Sequence, residues 1–153
     1  MCSSDLLRRF KPSVVLCNAV FDRHPDHGRA GKLVAEACYL SGLLKIVTEY
    51  NGVNQLHWRP KSVHHYIQDF YLKPDFVVDI TGYQDQKIAA VLAYKTQFYN
   101  PGMEGPETPI SSKHFLDVIS GRMKEFGRLV HVDHGEGFLV SRPLGVQDIT
   151  TLL

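Results

Sequence analysis

The stretch RHPDHGRA at residues 23–30 follows the apolar run Val14–Cys17 and opens a segment of helical periodicity. From residue 30 onward, apolar side chains recur at the three- and four-residue spacing of an amphipathic helix that packs on a sheet. Val14–Cys17 is apolar throughout, which is typical of a strand covered on both faces in a parallel sheet. Ligands gather where the strands of open α/β sheets end, so the pattern predicts an α/β protein with a site in this stretch.

Two histidines in this stretch, His24 and His27, lie three residues apart in the first turn of the predicted helix. This spacing places both rings on one side of the turn, where they can face one pocket. Neutral imidazole is a common zinc ligand, and the carboxylate of Asp26 can fix the orientation of a neighbouring ring. The alternative is an ordinary helix start, with Pro25 in the first position and Asp26 or a histidine as the cap. The residues alone leave both interpretations open.

Residues 21–45 resemble the second signature motif of the PIG-L/LmbE-like family of zinc-dependent N-acetylglucosaminide deacetylases. Residues 73–98 and 135–146 resemble the branch of that family that acts in bacillithiol biosynthesis, and the likeness extends over nearly the whole chain from Pro12 onward. The resemblance implies a Rossmann-like three-layer α/β sandwich with a mostly parallel sheet. It also implies an enzyme that uses Zn²⁺ to remove the N-acetyl group of a GlcNAc conjugate, with GlcNAc-malate as the substrate.

The same resemblance assigns roles to individual residues. His27 corresponds to a zinc ligand, and His24 to the residue that faces the substrate carbonyl as oxyanion stabiliser or proton donor. Asp26 corresponds to the carboxylate that orients His24 and raises the basicity of its ring. Arg23 can bind an acidic group of the substrate, or form an ordinary ion pair with Asp22 or Asp26. Some relatives have an aromatic hydroxyl as general acid at the position of Asp22, so here His24 is the better candidate for that role.

The family's first signature, Ala-His-Pro-Asp-Asp, does not occur in this sequence. In the family, that motif supplies two zinc ligands and the general base. We therefore expect residues 1–153 to be the C-terminal portion of a single LmbE-like deacetylase domain whose first strands are missing, and we expect this portion alone to be inactive. Residues 1–6 include CSSDL, which a translated sequencing adapter would give, so they are expected to be non-native. The alternative function is that of an inactive remnant that serves as an interaction or structural module.

The composition excludes several classes of protein. A net charge of +1 gives no footprint for nucleic acid or an anionic membrane, and no apolar run reaches the roughly 20 residues of a membrane-spanning helix. The pattern Gly-x-Gly-x-x-Gly is absent, which argues against a nucleotide-binding Rossmann domain. The three cysteines lack the spacing of a metal set, so we expect free thiols and a cytoplasmic protein. The family resemblance implies a homo-oligomer that binds a small-molecule GlcNAc conjugate.

The pattern after residue 45 predicts the remaining elements. Residues 46–60 lack a sustained period and predict a loop, whereas residues 63–69 and 75–80 predict two strands. Residues 84–98 predict a helix, and Gly135–Val140 predicts a last strand.

Two further residues are candidates for contact with a ligand. Glu136, flanked by glycines, is expected to be structural or to line a pocket. Trp58, in the predicted loop, is a candidate for stacking on a sugar ring, with an ordinary structural position as the alternative.

Overall fold

The chain forms both helices and strands, as the sequence pattern predicts. The structure is a computed structural model, and it describes residues 3–102 and 105–152. The elements in chain order are α1 (Ser3–Phe10), β1 (Val14–Cys17), α2 (Pro25–Leu40), β2 (Glu49–Tyr50), β3 (Val53–Asn54), β4 (Ser62–Tyr66), β5 (Phe76–Asp79), α3 (Gln84–Leu92), α4 (Lys113–Leu129), β6 (Gly135–Val140) and a 3₁₀ helix (Ile149–Thr151). None of the described helices is long and apolar enough to cross a membrane.

The described residues form two compact units. The first comprises residues 3–76 and 138–147, and the second comprises residues 77–102, 105–137 and 148–152. The stretch RHPDHGRA lies in the first unit, which therefore carries the candidate site.

The sheet of the first unit begins with a parallel pair of strands. β1 runs parallel to β4, with Cys17 beside His65. β4 also pairs antiparallel with the end of β6, where Tyr66 lies opposite Phe138. Because β1 and β4 run in the same direction, their carboxyl ends meet at one edge of the sheet, and α2 begins shortly after that edge. The mixed α/β architecture with its parallel pair confirms the predicted fold class.

β1 differs from the prediction in its burial. Side chains at alternate positions of a strand point to opposite faces. Cys17 is 3% exposed, whereas Val14 and Leu16, which share the other face, are 51% and 56% exposed. The expectation that β1 is covered on both faces is therefore wrong, because no described element covers the face of Val14 and Leu16. Among the described residues β1 also pairs with β4 alone, so its second edge is open.

Cys17 and Cys38 are both buried and free, as predicted, and Cys2 lies outside the described residues. Burial, with a smaller contribution from Cys38, raises the pKa of Cys17 to about 11. The Cys17 thiol donates to the carbonyl oxygen of His64, with 3.6 Å between sulfur and oxygen. Because burial also raises the pKa of Cys38, both thiols are protonated and unreactive at neutral pH.

We expect the chain to self-associate when expressed alone, because β1 combines an open edge with an apolar exposed face. Leu16→Lys should shift the chain toward monomer, since a charge on an edge strand opposes pairing with another chain. Size-exclusion chromatography with light scattering measures the effect. Leu129→Lys, at an exposed leucine on α4, is the matched control and should change nothing. A monomeric wild-type chain that melts cooperatively would contradict this prediction.

Residues 46–60 contain a short hairpin where a loop is predicted. β2 and β3 pair antiparallel, with Tyr50 opposite Val53. Asn51 and Gly52 form the turn with positive φ angles of 52° and 76°, which Asn and Gly tolerate. Asn-Gly is itself a hairpin signal, but strands of two residues are too short to show a period in the sequence.

The side chain of Arg8 joins α1 to the segment that follows α2. Arg8 is 3% exposed. Its Nε donates to the carbonyl of Ser41 at 3.0 Å, and its terminal nitrogens donate to Ile46 O at 2.6 Å and to Leu43 O and Thr48 Oγ1 at 2.9 Å. No described carboxylate pairs with Arg8. Neutral oxygens therefore hold this cation at the C-terminal end of α2, where the helix dipole favours positive charge.

The second unit has its core on α4. Met123 and Phe126 of this helix are each 3% exposed. α3 ends at Leu92, whereas the sequence predicts a helix to residue 98. The chain leaves the helix through a turn that allows Phe98 to stack on Phe115, with 5.8 Å between ring centroids. Packing of this aromatic pair therefore overrides the local helical period.

Candidate functional site

Two loops at the carboxyl ends of β1 and β4 form the candidate site. Residues 18–24 connect β1 to α2, and residues 67–71 follow β4. The Gln68 side-chain oxygen accepts hydrogen bonds from Asn18 Nδ2 at 3.1 Å and from the Ala19 N–H at 3.2 Å, which ties the loops together. α2 lies very close to the first loop, since a Cβ at Gly31 would be 2.7 Å from Asn18 O. Glycine at this position lets the helix pack against the end of β1.

A buried carboxylate holds the ring of His27. The Asp22 side chain has no exposed area, and its Oδ2 lies 2.5 Å from His27 Nδ1. Its Oδ1 accepts the backbone N–H groups of Asp69 at 3.1 Å and Phe70 at 2.7 Å. Burial alone would raise the pKa of Asp22, but the hydrogen bonds from His27 and from backbone N–H groups outweigh it and lower the pKa. Asp22 is therefore ionised at neutral pH.

The ionised Asp22 determines which nitrogen of His27 is available. A carboxylate can only accept, so Nδ1 of His27 carries the hydrogen and Nε2 carries the lone pair. The side chain of His27 is 32% exposed, and no described residue forms a hydrogen bond with Nε2. Asp22 thus holds the ring of His27 with the Nε2 lone pair free of hydrogen bonds from the described residues.

His24 is the N-cap of α2. Its Nδ1 accepts the backbone N–H of Asp26 at 3.2 Å, so the neutral ring carries its hydrogen on Nε2. The side chain is 51% exposed. The rings of His24 and His27 lie 5.2 Å apart between centroids. The structure therefore brings together one imidazole with a free donor and one with a free lone pair.

Asp26 lies on the outside of the first turn. Its carboxylate is 70% exposed, and Oδ2 is 3.9 Å from His24 Nδ1, beyond hydrogen-bond distance. Its Oδ1 accepts from Arg29 at 3.2 Å. The contact between Asp26 and His24 runs through the backbone N–H, and the orienting role of its carboxylate stays a prediction. The carboxylate that contacts a histidine ring is that of Asp22, for which the sequence predicts only a role as an acid or an ion-pair partner.

Arg23 forms its ion pair across the two loops. Its Nε donates to Asp69 Oδ2, so neither Asp22 nor Asp26, the two partners considered from the sequence, pairs with it. The Arg23 side chain is 39% exposed. No described residue hydrogen-bonds its terminal nitrogens, which leaves them available to an anionic ligand.

The described residues provide only one of the ligand positions that a metal site needs. No group of three His, Cys, Asp or Glu side chains in residues 3–102 and 105–152 is arranged to hold a metal ion. His27 with Asp22 nevertheless has the form of a zinc ligand with its outer-sphere carboxylate. These residues therefore fit one ligand position.

The other two candidates have structural contacts. Trp58 Nε1 donates to Pro12 O at 2.9 Å, and its backbone N–H donates to Ser41 O at 2.9 Å. In the second unit, Glu136 pairs with Lys87 Nζ at 2.8 Å. Stacking of Trp58 on a sugar and a pocket-lining role for Glu136 stay predictions.

Comparison with known proteins gives the fold. No protein-family model matches the chain. A conserved protein of Thermus thermophilus is similar in structure, with 29% identity and a TM-score of 0.79 over 95% of this chain and 59% of its own. The N,N′-diacetylchitobiose deacetylase of Pyrococcus horikoshii, in complex with an inhibitor, has 24% identity and a TM-score of 0.64 over 90% of this chain and 48% of its own. The chain has the LmbE-like fold.

A third protein with this fold catalyses a different reaction. It is the 4-carboxy-2-hydroxymuconate hydratase of Pseudomonas putida KT2440, with 20% identity and a TM-score of 0.67 over 96% of this chain and 59% of its own. The chain thus spans between about half and three fifths of the length of these structures. The neighbours show the fold and do not distinguish one branch of the family from another. Because one fold carries both a hydratase and a deacetylase, the function must be inferred from the side chains.

Proposed function

We propose that the chain contributes to a zinc-dependent hydrolase that removes the N-acetyl group of a GlcNAc conjugate, with GlcNAc-malate of bacillithiol biosynthesis as the substrate. The observation that carries the proposal is the contact between His27 and the buried carboxylate of Asp22. Metal-binding histidines usually donate their second ring N–H to such a group, which fixes the tautomer and the ring orientation. His27 is therefore prepared to offer Nε2 to Zn²⁺.

Bound Zn²⁺ would supply polarisation of the acetyl carbonyl and a bound water with a pKa of about 7. A catalytic zinc site takes three protein ligands and keeps a further position open. His27 accounts for one ligand in this proposal. The other two ligands and the general base belong to the family's first motif, which this sequence lacks.

His24 is proposed to act on the acetyl oxygen and the leaving amine. Its Nε2–H can donate to the oxygen on which negative charge develops. Transfer of a proton to the amine would need the imidazolium form of the ring, in which Nδ1 no longer accepts the N–H of Asp26. The backbone N–H of Asp26 fixes the ring from its other nitrogen. The Asp26 carboxylate, whose Oδ2 lies 3.9 Å from Nδ1, is proposed to orient the ring of His24.

Arg23 is proposed to bind the acidic aglycone. Asp69 holds the guanidinium through Nε, so its position is set while its terminal nitrogens remain available. A guanidinium binds a carboxylate through two parallel hydrogen bonds, and malate offers carboxylates. This arrangement favours an acidic substrate over a neutral sugar conjugate.

The fold neighbours support the reaction class. One of them is a deacetylase of N,N′-diacetylchitobiose, and the hydratase neighbour is the reason that the reaction must be measured directly. The family resemblance adds that the protein acts as a homo-oligomer in the cytoplasm on a small molecule, without a nucleic-acid or membrane partner.

A second candidate function is that of an inactive remnant with an interaction or structural role. It is favoured by the single ligand position among the described residues and by the exposed apolar face of β1. Recovery of the upstream reading frame discriminates the two, because an in-frame first motif supports the enzyme.

The test compares this chain with a version extended upstream through the first motif. We expect the chain alone to bind Zn²⁺ weakly, because one ligand of three is present. The extended protein should hold stoichiometric Zn²⁺ after dialysis and release acetate from GlcNAc-malate. A chelator should abolish the release, and added Zn²⁺ should restore it.

Three other outcomes would change the proposal. Stoichiometric Zn²⁺ retained by the chain alone would show that the ligand set is wrong. Acetate released from N,N′-diacetylchitobiose but not from GlcNAc-malate would keep the reaction and replace the substrate. An extended protein that holds Zn²⁺ and releases acetate from neither compound would overturn the deacetylase proposal.

A further inference from the structure

A pocket of about 460 Å³ lies in the first unit, away from the histidine pair. It is lined by residues 61–64, at the amino end of β4, and by residues 140–145, at the end of β6 and beyond. The candidate functional site uses the loop after the other end of β4, at residues 67–71. The two sites therefore lie at opposite ends of the same strand.

The pocket concentrates positive charge. Lys61 and Arg142 line it, and none of its lining residues is acidic. Neither cation forms an ion pair with a described carboxylate. Arg142 donates to the carbonyl oxygen of Lys61, which holds the guanidinium at the rim. Asp75 is nearby, but its carboxylate accepts the N–H of Val140 at 2.8 Å and does not line the pocket.

His64, which also lines the pocket, has a polar atom without a hydrogen-bond partner. Its Nδ1 is buried and has no hydrogen-bond partner, although buried polar atoms in folded proteins are nearly always paired. Its ring and that of Phe76 pack edge to face, with 5.1 Å between centroids. Burial, and then the neighbouring His65, lowers the pKa of His64, so the ring is neutral at pH 7 and offers one donor and one acceptor.

We propose that this pocket binds a small organic oxyanion, a phosphate monoester or a carboxylate, whose charged group lies between Arg142 and Lys61. Two unpaired cations in one pocket repel each other, and an oxyanion removes this repulsion while accepting charge-assisted hydrogen bonds. The hydroxyls of Ser62 and Ser141, which also line the pocket, provide further donors.

The size and lining of the pocket favour an organic anion over a bare ion or a polymer. Small-molecule pockets span roughly 300–1,000 Å³, so this volume suits a metabolite. Leu144, which is 45% exposed, provides an apolar wall for the organic part. Two cations in a chain of net charge +1 do not form the basic stripe that a nucleic acid requires.

Isothermal titration calorimetry of the 153-residue chain with glycerol 3-phosphate, succinate and glycerol tests the proposal. We expect at least one of the two anions to bind and the neutral glycerol not to bind. If glycerol 3-phosphate alone binds, the pocket is a phosphate site. If succinate alone binds, it is a carboxylate site. Binding of both supports the shared oxyanion chemistry.

Variants locate the binding. Arg142→Met and Lys61→Met should each weaken anion binding about tenfold or more, since each removes a charged donor. Lys73→Met removes a similarly exposed charge in the same unit, outside the pocket, and should leave binding unchanged. Far-UV circular dichroism confirms that the variants are folded.

Two results would overturn the proposal. One is the absence of binding by both anions at millimolar concentration. The other is loss of binding in Arg23→Met with full binding in Arg142→Met and Lys61→Met, which would assign the anion to the candidate functional site. The proposal does not depend on the deacetylase activity, so failure of one leaves the other intact.

Discussion

Replacing His27 with alanine, in a protein that carries the family's first motif, should remove Zn²⁺ and abolish deacetylation together. One ligand of three is lost, and the polarisation of the acetyl carbonyl is lost with it, so kcat/KM should fall about a thousandfold or more. His24→Ala should retain the metal and reduce mainly kcat, by roughly 10²–10⁴-fold, because a proton donor acts in the transition state. Atomic absorption and steady-state acetate release measure metal and turnover separately.

The two neighbouring carboxylates provide the controls for this experiment. Asp22→Asn should lower the affinity for Zn²⁺ roughly 10–100-fold. The single amide oxygen is expected to accept the N–H groups of Asp69 and Phe70, which leaves the NH2 group facing His27 in place of the acceptor that orients it. Asp26→Asn should leave the affinity unchanged, because that carboxylate is 70% exposed and pairs with Arg29. Equal loss of Zn²⁺ in His24→Ala and His27→Ala would contradict the separate roles, and a larger effect of Asp26→Asn than of Asp22→Asn would assign the orienting carboxylate differently.

The part of the site that the sequence predicts is the part built within one helical turn. The spacing of His24 and His27 places their rings together, and the observed separation of 5.2 Å follows from it. The helix start at Pro25 and its end before Ser41 are local features that sequence signals indicate.

The part that the sequence does not predict depends on contacts between distant segments. The carboxylate of Asp22 is held by backbone N–H groups 47 and 48 residues further along the chain, and Arg23 pairs with an aspartate 46 residues away. These partners lie in irregular loops, where no period exists to indicate which side chains meet. A chemical signal was present, since a histidine proposed as a metal ligand usually donates its second ring N–H to a nearby acceptor.

The apolar run of β1 shows why a pattern can indicate a fold and still give the wrong burial. Val14 and Leu16 are apolar, yet both are more than half exposed in the described structure. The apolar run indicates that both faces of the strand are suited to contact other apolar groups. The exposure of its side chains depends on which other elements cover them.

Replacing Arg8 with methionine should destabilise the first unit by about 3 kcal/mol, because hydrogen bonds from a buried charged group are lost together. The carbonyl oxygens of Leu43 and Ile46 and the hydroxyl of Thr48 lose a donor, and α2 loses the cation at its C-terminal end. Urea unfolding followed by the fluorescence of Trp58, the single tryptophan of the chain, measures the change. Trp58 is a suitable probe because its N–H donates to the same Ser41 carbonyl that Arg8 contacts.

Arg9→Met provides the matched control for this last prediction. Arg9 is the next residue of α1, is exposed, and contacts the rings of Phe10 and Tyr50 at 5.0 Å and 4.3 Å from its guanidinium carbon to the ring centroids. Exposed cation–π contacts contribute roughly 0.5–1 kcal/mol each, so its loss should shift the urea midpoint much less. The urea midpoint of Arg8→Lys should lie closer to that of Arg8→Met than to that of the wild type, because an ammonium group cannot reproduce the planar guanidinium that donates to several oxygens. Equal midpoints for Arg8→Met and Arg9→Met would show that the buried hydrogen bonds of Arg8 do not stabilise the end of α2.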